Sequence, residues 1–142
     1  MSAGTVAVVR KLKASPRAVW RTFTEPQTLR QWFAPADGFS VIVAEADVRV
    51  GGRYRLVTQS PDGSEHDVSG IYREIVPNEK LVFTWEWPST PDGESVVTVE
   101  LTPAGDGTEL VVRHEHFPDR QAFARQEQAW RSRARRLARL LA

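Results

Sequence analysis

The sequence predicts an α+β fold: a curved antiparallel sheet of about seven strands, two short helices after the first strand, and a long C-terminal helix packed across the sheet. Three observations carry this prediction. Apolar residues recur at every second position through most of residues 39–116, broken only by short turn-forming clusters. The last two dozen residues switch to a helical period. The connections between consecutive strand candidates are too short for parallel crossovers, so neighbouring strands must run antiparallel.

Residues 5–13 read as the first strand. Thr5, Val6, Val8 and Val9 are β-branched, and Leu12 alternates with Lys11 and Lys13. Ser15-Pro16 is a helix start, because serine accepts bonds from exposed amides and proline at the first helical position sacrifices none. Val19, Trp20 and Phe23 follow at helical spacing, giving a helix over 16–24. Pro26 restarts the pattern, and Leu29, Trp32 and Phe33 form the apolar stripe of a second short helix. Pro35 and Asp37-Gly38 end it.

Strands are then expected over 39–47, 53–60, 65–76, 80–87, 95–102 and 109–116. Between them stand Gly51-Gly52, Pro61-Asp62-Gly63, Pro77-Asn78-Glu79, Pro91-Asp92-Gly93 and Gly105-Asp106-Gly107, residues that tolerate positive φ or preset a tight turn. Alternation assigns faces. Leu81, Phe83, Trp85 and Trp87 share one side of their strand, and Val97, Val99 and Leu101 share one side of the next. Leu110, Val112, His114 and His116 share one side of the last. A face this apolar must be covered. The cover is a helix capped by Asp119 and about 20 residues long, or some 30 Å at the helical rise, with Phe123, Trp130, Ala134, Leu137 and Leu141 on one stripe. Without repeats, low-complexity tracts or a linker, residues 1–142 read as one domain.

Composition narrows the function. A chain of 142 residues with 41% hydrophobic and 26% charged residues builds an ordinary globular core. With no cysteines, disulfides, cysteine-based zinc sites and thiol nucleophiles are excluded. The N-terminus lacks a signal-peptide pattern, and no apolar run approaches the roughly 18 residues of a membrane span, so the expected location is cytoplasmic. Residues 119–142 carry seven arginines and two acids, a balance of +5 in a chain whose formal net charge is +1. These arginines read as the solvated face of the helix, with Arg120 and Arg133 snorkelling along apolar neighbours, and no nucleic-acid partner is expected.

The pieces Ala14-Ser15-Pro16, Val19-Trp20, Phe23-Thr24 and Leu29-Arg30-Gln31-Trp32-Phe33-Ala34-Pro35 form a recognisable series. It continues through Asp47-Val48-Arg49-Val50-Gly51-Gly52-Arg53-Tyr54, Gly70-Ile71-Tyr72-Arg73-Glu74-Ile75 and Lys80-Leu81-Val82-Phe83-Thr84-Trp85 to Trp130, Leu137 and Leu141. The element order resembles the helix-grip fold of the START, or SRPBCC and birch-pollen-allergen-like, superfamily. Within it the sequence is similar to the family named after the activator of the ninety-kilodalton heat-shock chaperone's ATPase. The chain departs from that family on the last helix. Members often carry a histidine and then a Gly-Trp pair, whereas this stretch reads Gln126-Glu127-Gln128-Ala129-Trp130. The superfamily includes lipid carriers, polyketide cyclases and aromatases, and coenzyme-binding proteins, so the resemblance implies a fold and leaves function to the site.

The expected site is an apolar pocket between the sheet and the last helix, holding a small apolar molecule, because rigid aromatics leave gaps where a curved sheet meets a helix. Its candidate lining is Trp32, Tyr54, Phe83, Trp85, Trp87, Val99, Val112, His114, His116, Phe123, Glu127 and Trp130. Helical phase requires Gln126 or Glu127 to face the sheet. A buried Glu127 near His114 or His116 would offer a general acid or base for a cyclase- or hydrolase-like reaction. His114-Glu115-His116 with His66 is too small a set to predict a metal site. No nucleophile elbow and no phosphate-binding glycine loop occur. The expectation is therefore no catalytic residue, no cofactor and no metal. The alternative partner is a chaperone or other protein, with a stress-response role implied by the family, and the chain is expected to be a monomer or homodimer.

Overall fold

A computed structural model describes residues 4–87 and 90–142, with backbone alone for 90–93. The elements run β1 (Val6–Leu12), α1 (Pro16–Thr24), α2 (Pro26–Trp32), β2 (Ser40–Ala46), β3 (Arg53–Gln59), β4 (Glu65–Val76), β5 (Lys80–Trp87), β6 (Thr90–Ala104), β7 (Gly107–Glu115) and α3 (Arg120–Leu140). All seven strands form one antiparallel sheet in the order β1-β7-β6-β5-β4-β3-β2. The meander β2 to β7 runs through short connections, and β1 adds to its far edge. The two short helices carry the chain from one edge of the sheet to the other. No helix among the described residues is long and apolar enough to cross a membrane.

Local chemistry sets the helix ends. Ser15 Oγ accepts from the Ala18 amide at 3.2 Å, and Asp119 accepts from the Ala122 amide at 2.8 Å. Each satisfies one of the amides that a helix start leaves free. Trp32 Nε1 donates to the Thr22 carbonyl at 2.8 Å, which ties α2 to the end of α1.

Two expectations need correction. The Pro91-Asp92-Gly93 turn falls inside β6, whose backbone already pairs Thr90 with Trp87; residues 88–89 lie outside the described residues. Here the strand ladder outweighs the local turn preference. His116 does not continue the face of Leu110, Val112 and His114. β7 ends at Glu115, and His116 sits at φ 67°, exposed. A left-handed residue reverses the direction of the chain, and histidine is among the side chains that tolerate it. Phe117 is thereby turned inward, 4.4 Å from the His114 ring.

Register shifts bend the sheet around α3. They occur at Val41/Val43, Tyr72/Glu74 and Trp85/Trp87, and an extra residue on one strand increases local twist. Near the second, Gly70 lies against β5 so closely that a Cβ there would meet the Thr84 carbonyl oxygen at 1.9 Å and the Tyr54 ring at 2.8 Å. That carbonyl also accepts the Tyr54 hydroxyl, and Thr84 Oγ1 accepts the Ile71 amide at 2.9 Å. Gly70→Ala must push β4 off β5 and break these bonds. It is expected to cost about 2–4 kcal/mol. Urea denaturation checks this, and an unchanged midpoint would refute the close approach.

Candidate functional site

Apart from an open groove of about 700 Å³ between β1 and α3, the space between sheet and α3 has an inner and an outer part. In the inner part the aromatics fill the volume. Phe33 packs 5.6 Å from Trp85 and 5.8 Å from Trp32, Trp85 lies 5.9 Å from Trp130, and Tyr54 lies 5.3 Å from Phe83, mostly edge-on or tilted. Such pairs add stability beyond their buried area. Only about 20 Å³ remains, among Trp32, Tyr54, Phe83, Trp130 and their neighbours.

The outer part is a cavity of about 640 Å³, partly open to solvent. Its walls come from four places. The segment after α2 supplies Phe33, Pro35 and Phe39; β3 and β4 supply Thr58, Glu65, His66, Asp67 and Val68. β5 supplies Trp85 and Trp87, and the start of α3 with the residues before it supplies Pro118, Asp119, Ala122, Arg125, Gln126, Ala129 and Arg133. The cavity exists because α3 turns small side chains, Ala122 and Ala129, toward the sheet beyond the end of the aromatic cluster. Its mouth carries charge of both signs. Asp67 pairs with Arg55 at 2.8 Å, and Asp119 is occupied as the α3 cap.

Arg133 sits at the inner end of this cavity and is 3% exposed. Its Nε donates to the Phe33 carbonyl at 2.8 Å and its Nη1 to Gln126 Oε1 at 3.0 Å. The guanidinium carbon lies 4.6 Å from the Phe33 ring centroid, 4.8 Å from that of Trp130 and 5.2 Å from that of Trp85. Ring faces attract a cation, and desolvation strengthens the attraction. Burial nevertheless pushes the guanidinium pKa down to about 9, and neighbouring Arg136 adds to this, so it remains charged at neutral pH. Arg133 takes part in none of the ion pairs found among the described residues. The expectation that it snorkels to solvent is corrected: its position is three residues after Trp130 and four before Leu137, on the buried stripe of α3.

His114 is fully buried beside this cluster. Trp130 Nε1 donates to His114 Nδ1 at 3.0 Å, so the ring proton is on Nε2 and is donated to Ser95 Oγ, 2.7 Å away. The serine hydroxyl in turn donates to the Trp85 carbonyl at 3.2 Å. Burial pushes the imidazole pKa down to about 3, with Arg133 contributing. The polarity is opposite to that of a catalytic Ser–His pair, where histidine accepts the serine proton. The chain of bonds holds β5, β6, β7 and α3 together.

Of the twelve candidate lining residues, Trp85 and Trp87 border the large cavity. Trp32, Tyr54, Phe83 and Trp130 surround the small remnant, and Val99, Val112 and His114 are buried in the core. Phe123 is half-buried on Phe117, with ring centroids 5.7 Å apart, and His116 is exposed. Glu127 is half-buried, 3.9 Å from Arg131; Gln126 is the residue that faces inward, 8% exposed. Among the described residues no group of three or more histidines and carboxylates is placed to hold a metal. Sequence reasoning missed Arg133, Ala122, Ala129, Phe33 and Phe39. The available signal was the repeat 122, 126, 129, 133, which marks an inward stripe of small and polar residues one step from the apolar stripe.

A seven-stranded half-barrel gripping a C-terminal helix, with a cavity beside that helix, defines a helix-grip protein of the START/SRPBCC type. The chain belongs to the family described as activator of Hsp90 ATPase homolog 1-like protein, whose profile matches residues 13–142. Protein CV1439 of Chromobacterium violaceum is similar in structure, with a TM-score of 0.88 and 32% identity over 97% of each chain. The AHSA1 protein SPO3351 of Silicibacter pomeroyi has a TM-score of 0.84 and 26% identity, again over 97% of each chain. The human activator of 90 kDa heat shock protein ATPase homolog 1 is 31% identical over 105 residues, which are 73% of this chain. The chain spans only 27% of the length of that curated relative.

Proposed function

We propose that this chain is a cytoplasmic binding module that encloses a small, mostly apolar molecule between its sheet and C-terminal helix. The observation that supports the reading is the cavity of about 640 Å³ walled by Phe33, Phe39, Val68 and Trp87. Ligand pockets run from about 300 to 1,000 Å³ and are mostly apolar with a few polar groups that orient the ligand. Native mass spectrometry of protein from its own cells tests it. The expected result is a co-purifying small molecule, absent from the denatured spectrum. Ala129→Phe, which fills the cavity from α3, is expected to lose that molecule while keeping the fold. A bare mass, repeated after incubation with a lipid and aromatic library, would sink the reading.

The family match favours a second reading, a chaperone-associated interaction module. Capture of a chaperone under stabilising nucleotide conditions, with no change on cavity filling by Ala129→Phe, would select it over ligand binding.

A further inference from the structure

We propose that the molecule held in the large cavity is an amphipathic anion, whose carboxylate or similar oxyanion bonds to Arg133 while its apolar body lies against Phe33, Phe39 and Trp87. The inference deepens the ligand-binding reading and rests on it.

Two independent observations point to an acceptor at the inner end of the cavity. The first is the state of Arg133. Its bonded partners are a carbonyl and an amide oxygen, and Nη2 has no acceptor among the described residues. Three aromatic rings surround the cation but bring no countercharge. Burying an arginine without an anion is costly, and buried charges are ordinarily paired. The second is Trp85, whose Nε1–H is buried with no acceptor among the described residues. Trp85 and Arg133 both border the cavity. The unbonded edge of Arg133 matches the two oxygens of a carboxylate, which guanidinium groups bind through paired N–H bonds, and on the sheet side Trp85 of β5 adds a donor without an acceptor among the described residues.

The neighbouring carboxylates do not supply that countercharge. Asp67 bonds to Arg55, Asp119 caps α3, and Glu65 is exposed at the mouth. Arg136, the nearest cation along α3, bonds to the Trp32 carbonyl, Ser132 and Asp37; its Nη2 is also buried without an acceptor among the described residues, but it does not line this cavity. Arg133 is thus held ready for an anion that comes from outside the chain. Gln126 fixes its Nη1 edge, and the Phe33 carbonyl fixes Nε, so the remaining edge is preset in direction.

Isothermal titration with matched pairs tests this: decanoate against decan-1-ol, and naphthalene-2-carboxylate against 2-naphthalenemethanol. On the unmodified protein each carboxylate is expected to bind about tenfold tighter than its alcohol, the size of one charge-assisted hydrogen bond. In Arg133→Met the preference is expected to vanish while alcohol affinity is retained; circular dichroism and melting report the fold. Should that variant not fold, Arg133→Lys, which keeps the charge but not the paired donors, is expected to reduce the preference. Alcohols binding as tightly as acids would overturn the anion and leave the apolar cavity standing. Neither class binding would overturn both. A preference lost in Arg125→Gln and kept in Arg133→Met would place the anion at the mouth and overturn the assignment to Arg133.

Discussion

Trp130→Ala is expected to bring the protein to the edge of unfolding. The indole is 1% exposed and touches Phe33, Trp85, His114 and the Arg133 guanidinium. Removing a buried tryptophan side chain costs about 3–5 kcal/mol through lost transfer energy and the cavity left behind. Its Nε1–H also supplies the donor for His114 Nδ1, and an orphaned buried acceptor costs about 1–3 kcal/mol more. Against a total stability of about 5–15 kcal/mol for a domain, the sum is most of what is available. Urea denaturation measures it. Trp130→Phe removes the donor but keeps one aromatic ring in place, so it is expected to cost less than Trp130→Ala. A Trp130→Ala midpoint close to that of the unmodified protein would refute the central placement of this side chain.

The second large effect is acid sensitivity through His114. The imidazole has an ordinary pKa of 6.5 when unfolded and about 3 when folded, because burial disfavours its charged form. Above pH 6.5 it is neutral in both states and its buried bonds contribute fully. As pH falls through 6.5 toward 3, the unfolded chain takes up a proton that the folded protein refuses, so stability falls. The groups facing it are Trp130, Ser95, Phe117, Trp85 and cationic Arg133, none of which carries the negative charge that would offset burial of an imidazolium. One such proton contributes a loss of about 2 kcal/mol between about pH 7.5 and 5, a window in which most carboxylates remain ionised. Denaturation midpoints across that window are expected to fall for the unmodified protein and to fall less for His114→Gln. Equal slopes would show that His114 is not buried in its neutral form. Below the window Asp62 adds to the loss. Its hydrogen bonds from Ser60 and Ser64 hold its pKa down at about 2, so acid removes that contribution last.

The site was harder to read than the scaffold, and the aromatic residues show why. Large rings suggest gaps, which is why Trp32, Tyr54, Phe83 and Trp130 stand among the expected cavity lining. Folded, they close on each other and leave about 20 Å³. The cavity of about 640 Å³ lies where Ala122 and Ala129 face the sheet, and alanines are silent in a pattern built from large apolar residues. Arg133 illustrates the same limit from the other side. Among seven arginines on one helix, solvation is the expected fate of each, and only the three surrounding rings and the Phe33 carbonyl make burial of this one tolerable.

The sequence by itself determined the element order, the helix starts at Ser15 and Asp119, the antiparallel pairing and the inward face of most strands, because each depends on contacts within a few residues or on a strict period. Only the tertiary structure decided which residues on the inward faces meet and which stand apart. It also decided that His116 turns out while Phe117 turns in, that Gln126 rather than Glu127 faces the sheet, and that Arg133 ends among aromatic rings. Periodicity fixes the side of an element on which a residue lies. Depth, and with it desolvation and charge, depends on how far the opposing element stands off and what size of side chain it presents there.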